Sequence, residues 1–298
     1  MSPIALIPQR IAPVSTQANV VVYDEVIADE LLESARFFVP TYLGPVENLM
    51  LMSRMPNLEV CQLLTAGYEG ALPHLPPGVT LCNAAGVHDA STAELAVGLI
   101  LASLRGIDRS ARDMAAGAWD HRTLASLADR RVLIIGAGGV GDAIRRRLEP
   151  FETTIVMMGR SARDGIAAIS ELDAHLPWAD IVVLAVPLDP TTASLVDAAF
   201  LARMPDGALL VNVARGGVVD TAALLAETTS GRILAALDVT DPEPLPADHP
   251  LWRSPGVLIT PHVGGDSTAF VPRGRRLVER QLENWATGQP LINVIPLP

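Results

Sequence analysis

Short apolar runs alternate with helical patterns along most of the chain. The runs of strand type are bounded by turn residues and lie at 19–23, 36–40, 58–64, 79–82, 132–135, 154–158, 180–186, 209–213, 233–237 and 256–260. Helical periodicity separates them, as at 93–105 behind the capping sequence Ser91-Thr-Ala-Glu94. Strands that alternate with helices are typical of parallel sheets with helices on their faces. The pattern therefore predicts an α/β fold, and 298 residues suit two ordinary domains or one large one.

A glycine-rich turn joins the apolar run 132–135 to the next helical pattern. Gly136, Gly138 and Gly141 satisfy G-x-G-x-x-G, the spacing of a dinucleotide-binding loop. The first glycine allows a tight turn, the second lets the backbone approach a pyrophosphate, and the third lets the helix pack on the strand. An ordinary glycine turn is the alternative, but a strand before the motif and a helix after it favour nucleotide binding.

The residues after the run 154–158, the second strand of the predicted nucleotide-binding unit, indicate which nucleotide binds. An NAD site has an acidic residue there, which accepts hydrogen bonds from the ribose. This chain instead has Gly159-Arg160-Ser161-Ala-Arg163. An arginine fork can bind a 2′-phosphate, so we predict NADP(H) in preference to NAD; an exposed basic turn is the alternative.

Composition narrows the possible functions. The net charge of −11 argues against nucleic acid or an anionic membrane as a partner. Every basic residue other than histidine is arginine, so a lysine Schiff base and a P-loop lysine are excluded. Two cysteines, Cys61 and Cys82, are too few for a zinc site or a disulfide framework, and we expect no metal. With no signal-peptide pattern and no apolar run long enough to span a bilayer, we expect a cytoplasmic protein.

Charged side chains follow the last three predicted strands. Arg215 follows 209–213, Glu243 lies in the segment after 233–237, and His262 follows 256–260. The carboxyl ends of parallel strands share one edge of a sheet, so these three should meet near the nucleotide. Carbonyl reduction needs such a set: an arginine for a substrate carboxylate, a histidine to donate the proton, and a carboxylate to orient the ring. A turn histidine, a structural arginine and a solvated glutamate are the alternatives.

The order and spacing of these motifs resemble the D-isomer-specific 2-hydroxyacid dehydrogenase family over nearly the whole chain. The matching segments are Leu64-Thr-Ala-Gly-Tyr68, Thr92-Ala-Glu94, the glycine motif, Val186-Pro-Leu-Asp-Pro-Thr-Thr192, Asn212 to Gly217, Asp238 to Pro244 and Pro261-His-Val-Gly-Gly265. Gly159-Arg160-Ser161 and the segment from Asp238 to Pro246 are most similar to the NADPH-dependent glyoxylate/hydroxypyruvate reductase branch. Formate dehydrogenases of this family carry glutamine where Glu243 stands.

The resemblance implies two Rossmann-like, doubly wound parallel-sheet domains with a cleft between them. A flavodoxin-like substrate domain would comprise residues 1–90 plus 273–298, and an NADP-binding Rossmann domain would comprise residues 91–272. It implies a homodimer that reduces small 2-oxo acids to D-2-hydroxy acids with NADPH. The rival hypothesis is an NADP(H)-binding sensor or interaction protein without physiological turnover.

The resemblance also implies a role for each site residue. Arg215 would bind and activate the substrate, Glu243 would orient His262, and His262 would be the acid/base. Backbone N–H groups around Ala66 and Gly67 would bind the substrate carboxylate. The next residue, Tyr68, also assigned to the substrate, departs from the family, because many members have a small aliphatic residue there, and its bulk would narrow or reshape the pocket. Cofactor contacts are implied at Gly136, Gly138, Gly139, Val140, Gly141, Arg160, Ser161, Arg163, Val186, Pro187, Thr192, Val213, Asp238, Gly264 and Gly265. Asp238 would face the nicotinamide carboxamide, and Trp119 would be either a partner contact or core.

Overall fold

The computed structural model of the protein describes residues 3–24 and 26–297. Residues 1, 2, 25 and 298, all in the predicted first domain, lie outside the described residues. The chain divides into two compact units, unit 1 (Met1–His88 with Ser267–Pro298) and unit 2 (Asp89–Asp266).

The unit boundaries differ slightly from the predicted ones. They fall at 88/89 instead of 90/91 and at 266/267 instead of 272/273. The second comes earlier because Phe270, at the start of the last helix, is buried in a core of unit 1.

Strands and helices alternate along the described chain. The strands are β1 (Ile4–Pro8), β2 (Asn19–Tyr23), β3 (Ala35–Phe38), β4 (Val60–Gln62), β5 (Thr80–Cys82), β6 (Arg131–Ile135), β7 (Thr154–Gly159), β8 (Ile166–Ala168), β9 (Ile181–Leu184), β10 (Leu209–Asn212), β11 (Leu234–Leu237) and β12 (Val257–Ile259). The α-helices are α1 (Asp29–Ser34), α2 (Val46–Met50), α3 (Asp89–Leu104), α4 (Ile107–Ala115), α5 (Gly139–Leu148), α6 (Leu172–His175), α7 (Ala198–Arg203), α8 (Thr221–Thr229) and α9 (Phe270–Thr287). Helix α3 begins two residues before the predicted cap at Ser91.

Unit 1 contains a parallel sheet of order β2-β1-β3-β4-β5, the flavodoxin-like order. Apart from the edge strand β2, its strands are largely buried on both faces, so adjacent residues belong to different cores. Phe37 packs with Phe270 on one face, whereas Phe38 packs with Leu81 on the other. The segment that follows α9 returns to this sheet, where Val294 pairs with Cys82.

Unit 2 contains a parallel sheet of order β12-β11-β10-β9-β6-β7-β8. The order reverses between β6 and β9, which begin the two halves of the sheet. Ligands of doubly wound sheets bind beyond the carboxyl ends of the strands at such a switch point. Two parallel-sheet α/β units confirm the predicted fold class.

No single helix in the described part of the chain is long and apolar enough to cross a membrane. Helices α3 and α4 taken together have the length and apolar composition of a membrane span, but they are bent by 65° at their junction.

Candidate functional site

The glycine loop between β6 and α5 packs too tightly for any side chain at two positions. Gly136 has φ +119°, and a Cβ atom there would lie 2.2 Å from the Ala185 carbonyl oxygen at the end of β9. A Cβ atom at Gly141 would lie 1.8 Å from the Gly136 carbonyl oxygen. The loop therefore brings the first turn of α5 against the end of β6, with the helix amino terminus available for an anion.

A cavity of about 480 Å³ opens beside this loop at the switch point of the sheet. Its walls come from the segments that follow β6, β7 and β9. The predicted cofactor residues that line it are Gly136, Gly138, Arg160, Arg163, Val186, Pro187 and Thr192. The close glycine backbone fits a pyrophosphate, and the two arginines place positive charge in the same cavity.

The two arginines are held differently. Arg163 Nη2 donates a 2.9 Å hydrogen bond to the Ala137 carbonyl oxygen, so its side chain lies across the glycine loop. Arg160 Nη2 lies 3.2 Å from Asp189 Oδ2, and the Arg160 side chain is 81% exposed. Ser161, predicted beside them, is also exposed.

Asp189 is a cavity residue that sequence reasoning missed. Its Oδ1 accepts hydrogen bonds from the backbone N–H and the hydroxyl of Thr191, at 2.7 and 2.5 Å. The Thr191 hydroxyl, the backbone N–H and the nearby Arg160 hold the pKa of Asp189 below its ordinary value. The signal in the sequence for this residue was its position a few residues after the end of β9.

Other predicted cofactor positions lie outside the lining of this cavity. Gly139 is the first residue of α5, and a Cβ atom there would lie 2.0 Å from Asp89 Oδ2. Val140 follows in α5, and Val213 is buried in a core of unit 2. A contact of these residues with cofactor stays a prediction, as it does for Gly264 and Gly265.

His262 and Glu243, predicted as acid/base and orienting carboxylate, lie together. His262 Nδ1 is 2.5 Å from Glu243 Oε1, and both side chains are about two-fifths exposed. His262 follows β12 and has φ +52°, a left-handed conformation that few non-glycine residues adopt. Its backbone N–H donates to the Asp238 carbonyl oxygen at 2.8 Å, which fixes this turn.

Asp238 holds the segment that carries His262. Its side chain is buried, and Oδ1 accepts hydrogen bonds from the Thr260 hydroxyl (2.6 Å) and the Val263 N–H (2.9 Å). Its Oδ2 accepts one from the Gly264 N–H at 2.8 Å. Both carboxylate oxygens thus bind the turn around His262; the expectation that Asp238 faces a nicotinamide carboxamide stays a prediction.

Arg215 leaves the end of β10 beside the segment that carries Glu243. Asn212 fixes the turn, because its Nδ2 donates to the Arg215 carbonyl oxygen at 3.0 Å. Arg215 Nη1 donates to the Ala214 carbonyl oxygen at 2.7 Å. A Cβ atom at Gly216 would lie 1.9 Å from the Thr240 carbonyl oxygen, so the segments after β10 and β11 are in direct contact.

In unit 1, the loop predicted to bind a carboxylate is ordered by side chains. Thr65 Oγ1 donates to the Gly67 carbonyl oxygen and Asn83 Nδ2 donates to the Ala66 carbonyl oxygen, each at 2.7 Å. The N–H of a trans peptide points opposite to its C=O, so these bonds also set the directions of the Gly67 and Tyr68 N–H groups. The Tyr68 side chain is partly buried against a core of unit 1 that includes Phe38.

Trp119 is 95% exposed, so the alternative that it is a core residue is wrong. It follows α4, a helix without buried residues, on which Ile107 and Met114 are also exposed. These two lie seven positions apart and so on one face of the helix. Three exposed apolar side chains therefore lie on one short segment of unit 2.

Residues 97–264, more than half of the chain, match the family model described as "D-isomer specific 2-hydroxyacid dehydrogenase, NAD binding domain". The chain is 32% identical over 249 residues to a glyoxylate reductase of Thermofilum pendens, covering 78% of this chain and 73% of that protein. It is 34% identical over 236 residues to the human glyoxylate reductase/hydroxypyruvate reductase, covering 74% and 71%.

A solved structure resembles the whole chain. The NADPH-dependent glyoxylate/hydroxypyruvate reductase of Sinorhizobium meliloti, in complex with NADP and sulfate, superposes with a TM-score of 0.84 at 26% identity. The match covers 99% of this chain and 98% of that one.

Proposed function

Since the chain belongs to the D-isomer-specific 2-hydroxyacid dehydrogenase family, an oxidoreductase family, we propose that it reduces small 2-oxo acids to D-2-hydroxy acids with NADPH. The substrates we assign are acids of the glyoxylate and hydroxypyruvate type. Sequence relatives that bear these names, and the solved NADPH-dependent reductase, support this choice.

The contact between His262 and Glu243 carries the proposal. The carboxylate at Nδ1 fixes the ring orientation, which leaves Nε2 to hold the mobile proton. In the reducing direction His262 gives this proton to the substrate carbonyl oxygen, and in the oxidising direction the neutral ring takes it back from the hydroxyl.

Arg215 is the group that we assign to the substrate itself. A guanidinium binds a carboxylate through two parallel hydrogen bonds and stabilises negative charge that develops on the adjacent oxygen. The bond from Asn212 holds the backbone of Arg215, and the bond from Nη1 to the Ala214 carbonyl oxygen holds its guanidinium. In unit 1, we assign the N–H groups of Gly67 and Tyr68 to the binding of a carboxylate.

The residues assigned to the cofactor are those around the switch-point cavity. The glycine loop from Gly136 to Gly141 would hold the pyrophosphate, and Arg160 with Arg163 would hold the 2′-phosphate. Bound NADPH supplies the hydride for the carbonyl carbon.

We also propose a homodimer whose interface includes the exposed apolar segment of Ile107, Met114 and Trp119. A tryptophan that is 95% exposed, on a segment with two further exposed apolar side chains, is typical of a surface that another chain covers. A second copy of the chain is the occupant that the family resemblance suggests.

The proposal is tested by the initial rate of NADPH oxidation, and separately of NADH oxidation, with glyoxylate, hydroxypyruvate, pyruvate and a bulky aromatic 2-oxo acid. Fast turnover with NADPH and a small acid is expected. Turnover with the bulky acid alone would keep the chemistry and change the substrate. Tight NADPH binding with no turnover of any acid would favour the rival function, a nucleotide-dependent sensor.

A further inference from the structure

The arginine assigned to the 2′-phosphate faces a carboxylate of its own chain. Arg160 Nη2 lies 3.2 Å from Asp189 Oδ2, and both residues line the cavity together with Arg163 and Gly138. The part of the cavity near the end of β7 therefore contains two guanidinium groups and one carboxylate.

The two partners differ in how firmly they are held. Asp189 Oδ1 is bound by the N–H and hydroxyl of Thr191, and the Asp189 N–H donates to Thr192 Oγ1 at 2.8 Å. The Arg160 side chain is 81% exposed, against 29% for Asp189. An exposed pair of this kind is weak, so Arg160 is free to turn to another anion while Asp189 stays in place.

A fixed carboxylate acts in opposite ways on the two nicotinamide cofactors. A phosphate monoester carries close to two negative charges at neutral pH and is repelled by a carboxylate. The free ribose hydroxyls of NADH can instead donate hydrogen bonds to it, as they do to the acidic residue found at the end of the second strand in NAD sites. That position is Arg160 in this chain, and Asp189 lies directly beside it.

We propose that Asp189 is a specificity-determining residue, which lowers the affinity for NADPH relative to NADH and so limits the preference that Arg160 and Arg163 create. The inference rests on the proposed NADPH-dependent function. Asp189, which follows β9, would oppose the preference for NADPH that Arg160 and Arg163, which follow β7, create.

The test uses two small probes of the adenosine subsite, adenosine 2′,5′-bisphosphate and AMP, titrated calorimetrically into the full-length protein. The variant Asp189→Asn keeps the Oδ1 acceptor that Thr191 binds and removes the charge. It should raise affinity for the bisphosphate about fivefold and change that for AMP less than about twofold. The gain should shrink as salt is added, because screening weakens the repulsion in the wild type.

Two further variants keep the result interpretable. Arg160→Ala should lower affinity for the bisphosphate about tenfold, and Asp189→Asn should still raise it in the double variant, because the carboxylate repels the phosphate directly. Asp173→Asn removes the carboxylate of the exposed Arg203–Asp173 pair and should leave both affinities unchanged.

Unchanged or reduced bisphosphate affinity in Asp189→Asn would overturn the inference. A loss in Arg160→Ala alongside that result would leave the NADPH assignment standing without a contribution from Asp189. Neither probe contains nicotinamide or an oxo acid, so failure of the proposed reductase activity would show separately, in the rate assays.

Discussion

His262 Nδ1 lies 2.5 Å from Glu243 Oε1, although the two residues leave the sheet from different strands, β12 and β11. The contact depends on a carboxylate that can only accept at Nδ1. An amide in place of the carboxylate can donate a hydrogen bond to Nδ1 instead of accepting one from it. The neutral ring then carries its proton on Nε2, which is the wrong tautomer for accepting a proton there.

We therefore expect Glu243→Gln to lower kcat about 100-fold while the Kd for NADPH changes little. Steady-state rates and fluorescence titration measure the two quantities. Glu47→Gln, which changes an exposed glutamate on α2, is the matched control and should leave both unchanged. A variant Glu243→Gln with wild-type kcat would remove the glutamate from the mechanism.

The packing of the glycine loop against α5 can be tested with two glycine-to-alanine substitutions, one in α5 and a control in α3. In Gly141→Ala the new Cβ would lie 1.8 Å from the Gly136 carbonyl oxygen, so α5 must move away from β6. We expect a loss of about 3 kcal/mol in the free energy of unfolding, as for an overpacked core. Urea denaturation measures this free energy.

Gly98→Ala is the control, because Gly98 lies inside α3 and a Cβ atom there meets nothing within 4 Å. Alanine has the higher helix propensity, so this variant should gain up to about 1 kcal/mol. Equal stability of the two variants would contradict the packing described for the loop.

The Arg131–Asp180 pair predicts a pH-dependent contribution to stability. Asp180 accepts hydrogen bonds from the backbone N–H, Nε and Nη2 of Arg131, and these hold the pKa of Asp180 below its ordinary value. A lowered pKa in the folded state means that the ionised form stabilises the fold above the pKa of the unfolded chain. This contribution is lost as the pH falls through the folded-state value.

Asp180→Asn should thus cost about 1 kcal/mol at neutral pH, and the difference from wild type should shrink below about pH 4. Urea unfolding between neutral and acid pH checks both points. Asp173→Asn, in a more exposed pair, should show almost no difference at any pH. A difference for Asp180→Asn that grows towards acid pH would refute the sign.

The exposed segment at Trp119 predicts the behaviour of the oligomer. Trp119→Ala should shift the mass in solution from dimer towards monomer at micromolar concentration, because the largest apolar side chain of the surface is removed. Light scattering after size-exclusion chromatography measures the mass. Val14→Ala, which truncates an 81% exposed apolar side chain in unit 1, is the control and should leave the mass unchanged. A monomeric wild-type protein would refute the proposed dimer.

The sequence predicted the fold class and the segments of the site because both depend on local signals. G-x-G-x-x-G between a strand and a helix identifies the switch point, and parallel strands bring the segments of Glu243 and His262 to one edge. Two strands were missed: β1, whose five residues Ile4–Pro8 follow the chain start, and β8, an edge strand of three residues. The proline that ends β1 argues against a strand, and the three residues of β8 carry too little periodicity to identify.

Asp189, Asp89 and Asn83 were missed for a different reason. Each acts on a loop that is distant in sequence: Asp189 on Arg160, Asp89 on Gly139 and Asn83 on Ala66. Only the packed sheet brings them together, so no spacing within the sequence reports these contacts. The exposure of Trp119 likewise depends on the surroundings of α4 and not on its own segment.

We propose that His262 transfers the proton in an NADPH-dependent reduction, and the most direct measurement compares His262→Ala with His121→Ala. His121 is exposed and lies outside the strand-end cluster, so its variant should match the wild type in both quantities. His262→Ala should lower kcat for glyoxylate or hydroxypyruvate about 1,000-fold while the Kd for NADPH stays within about twofold. Wild-type turnover in His262→Ala, or an equal loss of turnover and NADPH binding, would contradict the account.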